Sequence, residues 1–269
     1  MLKKRVIFTL LYDRGTFMLS RNFRLQKVGN LRWLKRNYNF SHIAFSIDEL
    51  IILDVSRGER NESDFCDHVK SLTEECFVPI AAGGGIRTLE QARKLLHSGA
   101  DKVVINSLMA IDNELVNQIA SEFGRQSIVA AVDVKKTENN YTVWTHNGEQ
   151  QQETSLTQWL TNLEKSSAGE VYLNSIDRDG TGQGYYLELL DYLPEQMSIP
   201  VILAGGAGKY QHLAEGLSDD RVDAVATAHL FNFIGDGLEK ARIGLIEEGF
   251  DLAKWDANIA NDLNGIFAN

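Results

Sequence analysis

This sequence predicts an α/β fold, a closed (β/α)8 barrel, and three observations carry the prediction. The first is a block used twice. Val78-Pro79-Ile80-Ala81-Ala82-Gly83-Gly84-Gly85 opens one copy, which closes on Ala100-Asp101-Lys102-Val103-Val104-Ile105-Asn106. Ile199-Pro200-Val201-Ile202-Leu203-Ala204-Gly205-Gly206-Ala207-Gly208 opens the other, which closes on Val222-Asp223-Ala224-Val225-Ala226-Thr227-Ala228. Each copy reads strand, glycine turn, helix, strand, and the offset is about half the chain, as when one four-strand unit is used twice. The second observation is a series of short, continuously apolar runs, the signature of strands covered on both faces. The third is the amphipathic stretch that follows most of them.

Taken in order, runs at 5–11, 49–55, 77–82, 102–106, 127–134, 170–175, 200–204 and 224–228 read as the eight strands. Amphipathic stretches at 63–76, 88–98, 113–123, 155–167, 186–193 and 210–217 read as helices between them. The polar stretch 15–30 is too long for a minimal turn and is expected to be a mobile lid at the strand-end face. Segment 135–152 breaks the rhythm, and Tyr141-Thr142-Val143-Trp144 beside Asn147-Gly148 predicts a small hairpin after the fifth strand. The 269 residues suit one barrel domain spanning 1–269, with half-barrels at about 1–123 and 124–250 and a tail at 251–269.

Composition narrows the function classes. A net charge of -10 and a pI near 5.1 argue against nucleic acid as a partner, since duplex binding needs a basic footprint. Cys66 and Cys76 are too few for a disulfide framework, and no apolar leader or membrane span follows Met1-Leu2-Lys3-Lys4-Arg5, so a cytoplasmic protein is expected. His42, His68, His97, His146, His212 and His229 are scattered without ligand spacing, so neither a metal nor another cofactor is expected.

Catalytic groups in such barrels sit where strand C-termini meet the following loops. Gly83-Gly84-Gly85 follows the third strand and Gly205-Gly206-Ala207-Gly208 the seventh. Glycine admits close backbone approach, and a following helix N-terminus favours phosphate, so the pair reads as two phosphate cups, or else as two tight turns. Asp54 and Asp133 end apolar strands, and Asp177 and Asp179 follow the sixth. A carboxylate there is costly to bury unpaired, which points to substrate contact, to loop capping or, for Asp133, to a pair with Lys135.

Asn174-Ser175-Ile176-Asp177-Arg178-Asp179-Gly180-Thr181, together with both glycine turns and Gly99-Ala100-Asp101-Lys102-Val103-Val104-Ile105-Asn106, closely resembles the cyclase subunit of imidazole glycerol phosphate synthase. The resemblance runs from about Lys4 to about Phe250. It implies a glutaminase partner whose ammonia travels through the barrel to a phosphoribosyl-type substrate. By the same resemblance, Asp133 is the general acid/base, and Gly85, Asn106, Ser107, Asp179, Gly180, Gly206, Ala228 and His229 form the phosphate and substrate contacts. Arg5, Glu49, Lys102 and Glu170 are the ammonia gate and Asp101 faces the glutaminase; ordinary ion pairing at the barrel floor is the plainer reading of those four charges.

Three departures accompany the matches. The family's second catalytic aspartate is Leu11 here, its lid lysine is Leu19, and a hydroxyl residue of the second cup is His229. Leucine moves no proton, and Asp13, two residues on, is a poor stand-in. Loss of the acid beside an intact gate resembles a divergent branch found with a second glutaminase and an ATP-dependent sugar amidotransferase in surface-polysaccharide pathways. That likeness implies conversion of an acetamido to an acetamidino sugar, with a phosphorylated or nucleotide-linked sugar as the small molecule. An authentic cyclase of histidine biosynthesis and a non-catalytic scaffold of the glutaminase are the alternatives.

Overall fold

A computed structural model describes residues 3–38, 40–138 and 140–254, without the side chains of Ser41 and His42. The tail expected at 251–269 lies outside the described residues from 255 onward. In chain order the elements are β1 (Arg5–Asp13), β2 (Thr16–Arg21), β3 (Arg24–Gly29), α1 (Leu31–Asn37), α2 (Phe40–Ile43), β4 (Glu49–Asp54), α3 (Glu62–Thr73) and β5 (Ile80–Gly83). There follow α4 (Leu89–His97), β6 (Lys102–Ile105), α5 (Ser107–Ile111), α6 (Asn113–Phe123), β7 (Ile128–Lys136), β8 (Tyr141–Thr145), β9 (Gln150–Ser155) and α7 (Leu156–Glu164). The last are β10 (Glu170–Ser175), β11 (Val201–Ala204), α8 (Tyr210–Leu217), β12 (Ala224–Thr227) and α9 (Gly237–Glu247).

Eight strands pair in parallel in the order β1-β4-β5-β6-β7-β10-β11-β12, and β12 returns to β1 through Arg5↔Ala224 to Phe8↔Thr227. The closed (β/α)8 barrel is therefore present. The apolar runs are continuous because each strand packs on both faces. Val6, Phe8 and Leu10 of β1 join the outer core against the helices, whereas Ile7 joins an inner cluster with Ile51, Val104, Val129, Tyr172 and Ile202. Side chains alternate across a strand, so one run feeds both cores.

Local chemistry fixes the helix starts. Thr88 and Gln91 make a reciprocal capping box on α4, and the side chains of Asn61, Asp112 and Ser155 accept N–H bonds at the starts of α3, α6 and α7. Among the described residues no helix is long and apolar enough to cross a membrane.

The structure corrects three expectations. Stretch 186–193 is not an α-helix but a 3-10 helix over Leu187–Tyr192. It ends at Leu193, before Pro194, where a helical conformation is disfavoured by the proline ring. Helices α1 and α9, which the apolar pattern did not reveal, add Leu34, Leu238 and Leu245 to the outer core. The stretch 15–30 is more regular than a polar loop. It continues β1 as a three-stranded meander through two two-residue turns, Arg14-Gly15 and Asn22-Phe23, whose four residues all have positive φ. That backbone matches the right-handed twist of a hairpin. The hairpin expected after the fifth strand is present as β8 and β9, extending β7 from Asp133↔Trp144.

Candidate functional site

The barrel has two chemically different ends. At the strand starts, Arg5, Glu49, Lys102 and Glu170 close a four-membered ring of alternating charge. Arg5 Nη1 lies 2.9 Å from Glu49 and 2.8 Å from Glu170, while Lys102 Nζ lies 3.1 Å and 2.8 Å from the same two carboxylates. Each charge thus has two opposite neighbours. Burial pushes the Glu49 carboxyl upward from its ordinary value, and Lys102 and Arg5 oppose that push. Lys102→Ala leaves two carboxylates buried against each other with one cation between them. It should cost about 3 kcal/mol, the usual penalty for uncompensating a buried charge. Urea titration at pH 7 measures it, and an unchanged midpoint would refute mutual compensation in the ring.

Asp101, beside the ring, is exposed and accepts the Ile80 N–H at 2.8 Å. Asp223 does the same for Val201 at 2.9 Å, and Asp48 for Val6 at 2.8 Å. Three aspartates preceding strand starts therefore tie down an N–H in the first two residues of a neighbouring strand, a structural duty sufficient to explain Asp101 by itself.

Above the ring the interior is apolar for one layer, then polar. Thr9 and Tyr172 share a hydrogen bond of 3.3 Å across it, and a cavity of about 300 Å³ opens at the strand ends. Asp133 stands in its wall. Asn106 Nδ2 donates to one carboxylate oxygen at 3.0 Å and Asn174 Nδ2 to the other at 2.8 Å. Burial nonetheless raises Asp133 to about 7, with Asn174 opposing and the nearby Asp179 adding to the rise. Such a group can give or take a proton near neutral pH. Lys135 is not its partner, since its ammonium lies over the Trp144 ring at 5.1 Å.

The structure separates Asp177 from Asp179. Asp177 accepts the Lys136 N–H at 2.6 Å and caps a loop away from the cavity. Asp179 is buried, lines the cavity, and accepts from the Ser20 hydroxyl and from Phe23 N–H at 3.0 Å. It thereby anchors the β2–β3 hairpin across the mouth. Gly180 is required at this junction, where a Cβ would fall 1.7 Å from the Ser20 carbonyl oxygen. Phe23 reaches Gly148 of the other hairpin, and Arg57 bridges both through the Phe23 carbonyl at 2.9 Å and Glu149 at 3.6 Å.

Gly85, Asn106, Ser107, Asp179, Gly180, Gly206, Ala228 and His229 all border this one cavity, so the fold assembles the expected contact set from five strand ends. The Ser107 hydroxyl accepts the His146 N–H at 3.0 Å, tying the second hairpin to the site. Burial lowers His229 from its ordinary value, with Asp179 opposing, and its buried Nδ1 has no hydrogen-bond partner among the described residues. Leu11 faces the cavity, whereas Asp13 is held by Arg14 at 2.8 Å and lies outside the cavity wall. Leu19 on β2 pairs with Gln26 on β3, and its neighbour Ser20 is the residue that faces the cavity. Gly206 offers a poor test of anion contact, because a Cβ there would meet the Gly184 carbonyl oxygen at 2.1 Å and disturb the backbone.

Sequence reasoning missed Asn174, Tyr172 and Arg60. Asn174 lay within the quoted motif, but its task of holding Asp133 is visible only once β7 and β10 are adjacent. Among the described residues no three His, Cys, Asp or Glu side chains gather as a metal site.

Comparison with known proteins decides the family. The family described as "Histidine biosynthesis protein" matches residues 37–235. The chain belongs to this family. It is 47% identical over 242 residues, 90% of each chain, to the protein named "Putative imidazole glycerol phosphate synthase subunit hisF2" of Parasynechococcus marenigrum (strain WH8102). Imidazole glycerol phosphate synthase subunit HisF of Prosthecochloris aestuarii is 37% identical over 250 residues, covering 93% of this chain and 98% of the relative. The HisF subunit of Chlorobaculum tepidum matches with the same identity and coverage. This chain is therefore a HisF-family barrel.

Proposed function

We propose that this HisF-family barrel takes ammonia from a partner glutaminase at its strand-start face and delivers it to a phosphorylated acceptor at the Asp133 mouth. One observation carries the reading. A closed ring of four paired charges lies below an apolar interior layer, and above that layer stands Asp133, a carboxyl raised to about 7. Neutral ammonia crosses an apolar layer at far lower cost than ammonium, whose charge must be desolvated. Ring and mouth together thus favour delivery of the neutral species. In this reading Arg5, Glu49, Lys102 and Glu170 are the gate, Asp133 is the acid/base, and Gly85, Asn106, Ser107, Gly180 and Gly206 cradle phosphoryl groups.

With Leu11 at the position of the partner acid, the acceptor we favour is an acetamido sugar converted to its acetamidino form for a surface polysaccharide. The identity to HisF subunits supports the second reading, an authentic cyclase of histidine biosynthesis. The glutaminase encoded nearest to this chain should co-elute with it and hydrolyse glutamine at least about tenfold faster in its presence, a coupling of about 1.4 kcal/mol. Asp101→Asn, which keeps the shape of the side chain at Ile80, should weaken that activation. A glutaminase that neither binds nor responds refutes the proposal.

A further inference from the structure

The first glycine turn has ligand space on both sides. Gly84, Gly85 and Ile86 border the mouth cavity and also a second cavity of about 240 Å³ between α3 and α4. Arg60 stands in the common wall. Its guanidinium lies so close to Gly85 that a Cβ there would meet Cδ, Nε and Nη1 at 2.8 Å, and the φ of +74° at that position favours glycine. Yet Arg60 is poorly matched inside the protein. Nε is buried without a hydrogen bond among the described residues, and its ion pair with Asp54 Oδ2 is long, at 3.5 Å. Burial raises the Asp54 carboxyl, and Ser56 N–H already occupies one of its oxygens at 2.9 Å. A buried guanidinium N–H without a hydrogen bond is costly, and an anion at the turn would supply its acceptor. Across the second cavity, Lys94 extends from α4 and makes a long contact of 3.7 Å to Glu62. Asp54 and Glu62 are the acidic groups facing this space.

We propose that the two cavities form one diphosphate site, with one phosphoryl group at the Gly85 turn, the other on the Lys94 side, and Arg60 bridging them. A terminal monophosphate would need only a closed cup. Here the wall behind the cup is an arginine with an open space beyond it, set to hold a phosphoryl group from two sides. The inference rests on reading the Gly85 turn as a phosphoryl cup, and the test separates the two.

Calorimetric titration of the full chain with inorganic phosphate and with pyrophosphate, in magnesium-free buffer, should show pyrophosphate binding about tenfold tighter or more. Lys94→Ala should remove that preference and leave phosphate affinity unchanged, since the side chain is exposed. Arg60→Ala should weaken both ligands about tenfold or more, and Arg60→Lys should restore part of the loss. Equal affinity for the two ligands overturns the diphosphate site, as does unchanged binding in a folded Arg60→Ala variant. Absence of phosphate binding to the unmodified chain overturns the cup itself, and this inference with it.

Discussion

A strain lacking the histidine-pathway cyclase should remain a histidine auxotroph when this chain is expressed in it. The expectation follows from Leu11. Its side chain faces the mouth cavity, where the resemblance to the cyclase subunit calls for a second carboxylate. A positioned proton-transfer group contributes about 10² to 10⁴ in rate, so its absence should leave too little flux for growth. The nearest carboxylate in sequence does not compensate, because Arg14 holds Asp13 below its ordinary pKa and away from the cavity. Leu11→Asp should recover part of the activity in a purified assay supplied with ammonium salt. Adding Leu19→Lys should contribute less, since β2 presents Ser20 to the cavity. Histidine-independent growth supported by the unmodified chain would refute the amidino-sugar reading and favour the authentic cyclase.

The second large effect concerns Asp133 and has a definite sign in pH. Its carboxyl is raised from 3.8 to about 7 in the fold, so the native state binds the proton more tightly than the unfolded chain. That contribution is fully present below about pH 4 and is lost as pH rises through about 7. A shift of this size has a ceiling of about 4 kcal/mol, and the opening of the side chain to the mouth reduces it to about 2 kcal/mol. Asp133→Asn carries no charge to bury. It should therefore be about 2 kcal/mol more stable than the natural chain at pH 8, with the gap closing toward pH 4. Ammonia-dependent chemistry should fall about 10² to 10⁴ in the same variant, so stability and activity move in opposite directions. Urea midpoints across that pH range check the first claim. A difference that does not change between pH 4 and pH 8 would show that Asp133 ionises normally.

Much of the fold was legible because strand and helix periods are local. The run at 170–175 coincides with β10 and the run at 5–11 with all but the last two residues of β1, since strands covered on both faces read as short, mostly apolar stretches. Helix α4 was legible for a related reason, its capping box and apolar face both being short-range patterns. The β2–β3 hairpin was not. Its turns use Arg14-Gly15 and Asn22-Phe23, and only Gly15 is a strong local signal for positive φ. What stabilises the second turn is Asp179, distant in sequence. The 3-10 segment at Leu187–Tyr192 was likewise hidden, because an apolar pattern does not distinguish three residues per turn from 3.6 over so short a span.

By itself the sequence determined the doubled block, the eight strands and therefore the barrel, and a leucine at position 11 near the end of the first strand. These follow from periodicity and residue identity, which are properties of the chain. The tertiary structure decided which carboxylate faces the cavity, through the Lys136 N–H on Asp177 and the hairpin on Asp179. It decided that the four floor charges neutralise one another, that Asp133 titrates near neutrality between two asparagines, and that Arg60 stands between two cavities. Each of these depends on the distance and burial of groups far apart in the chain, and burial sets both the cost of a charge and the value of its partner.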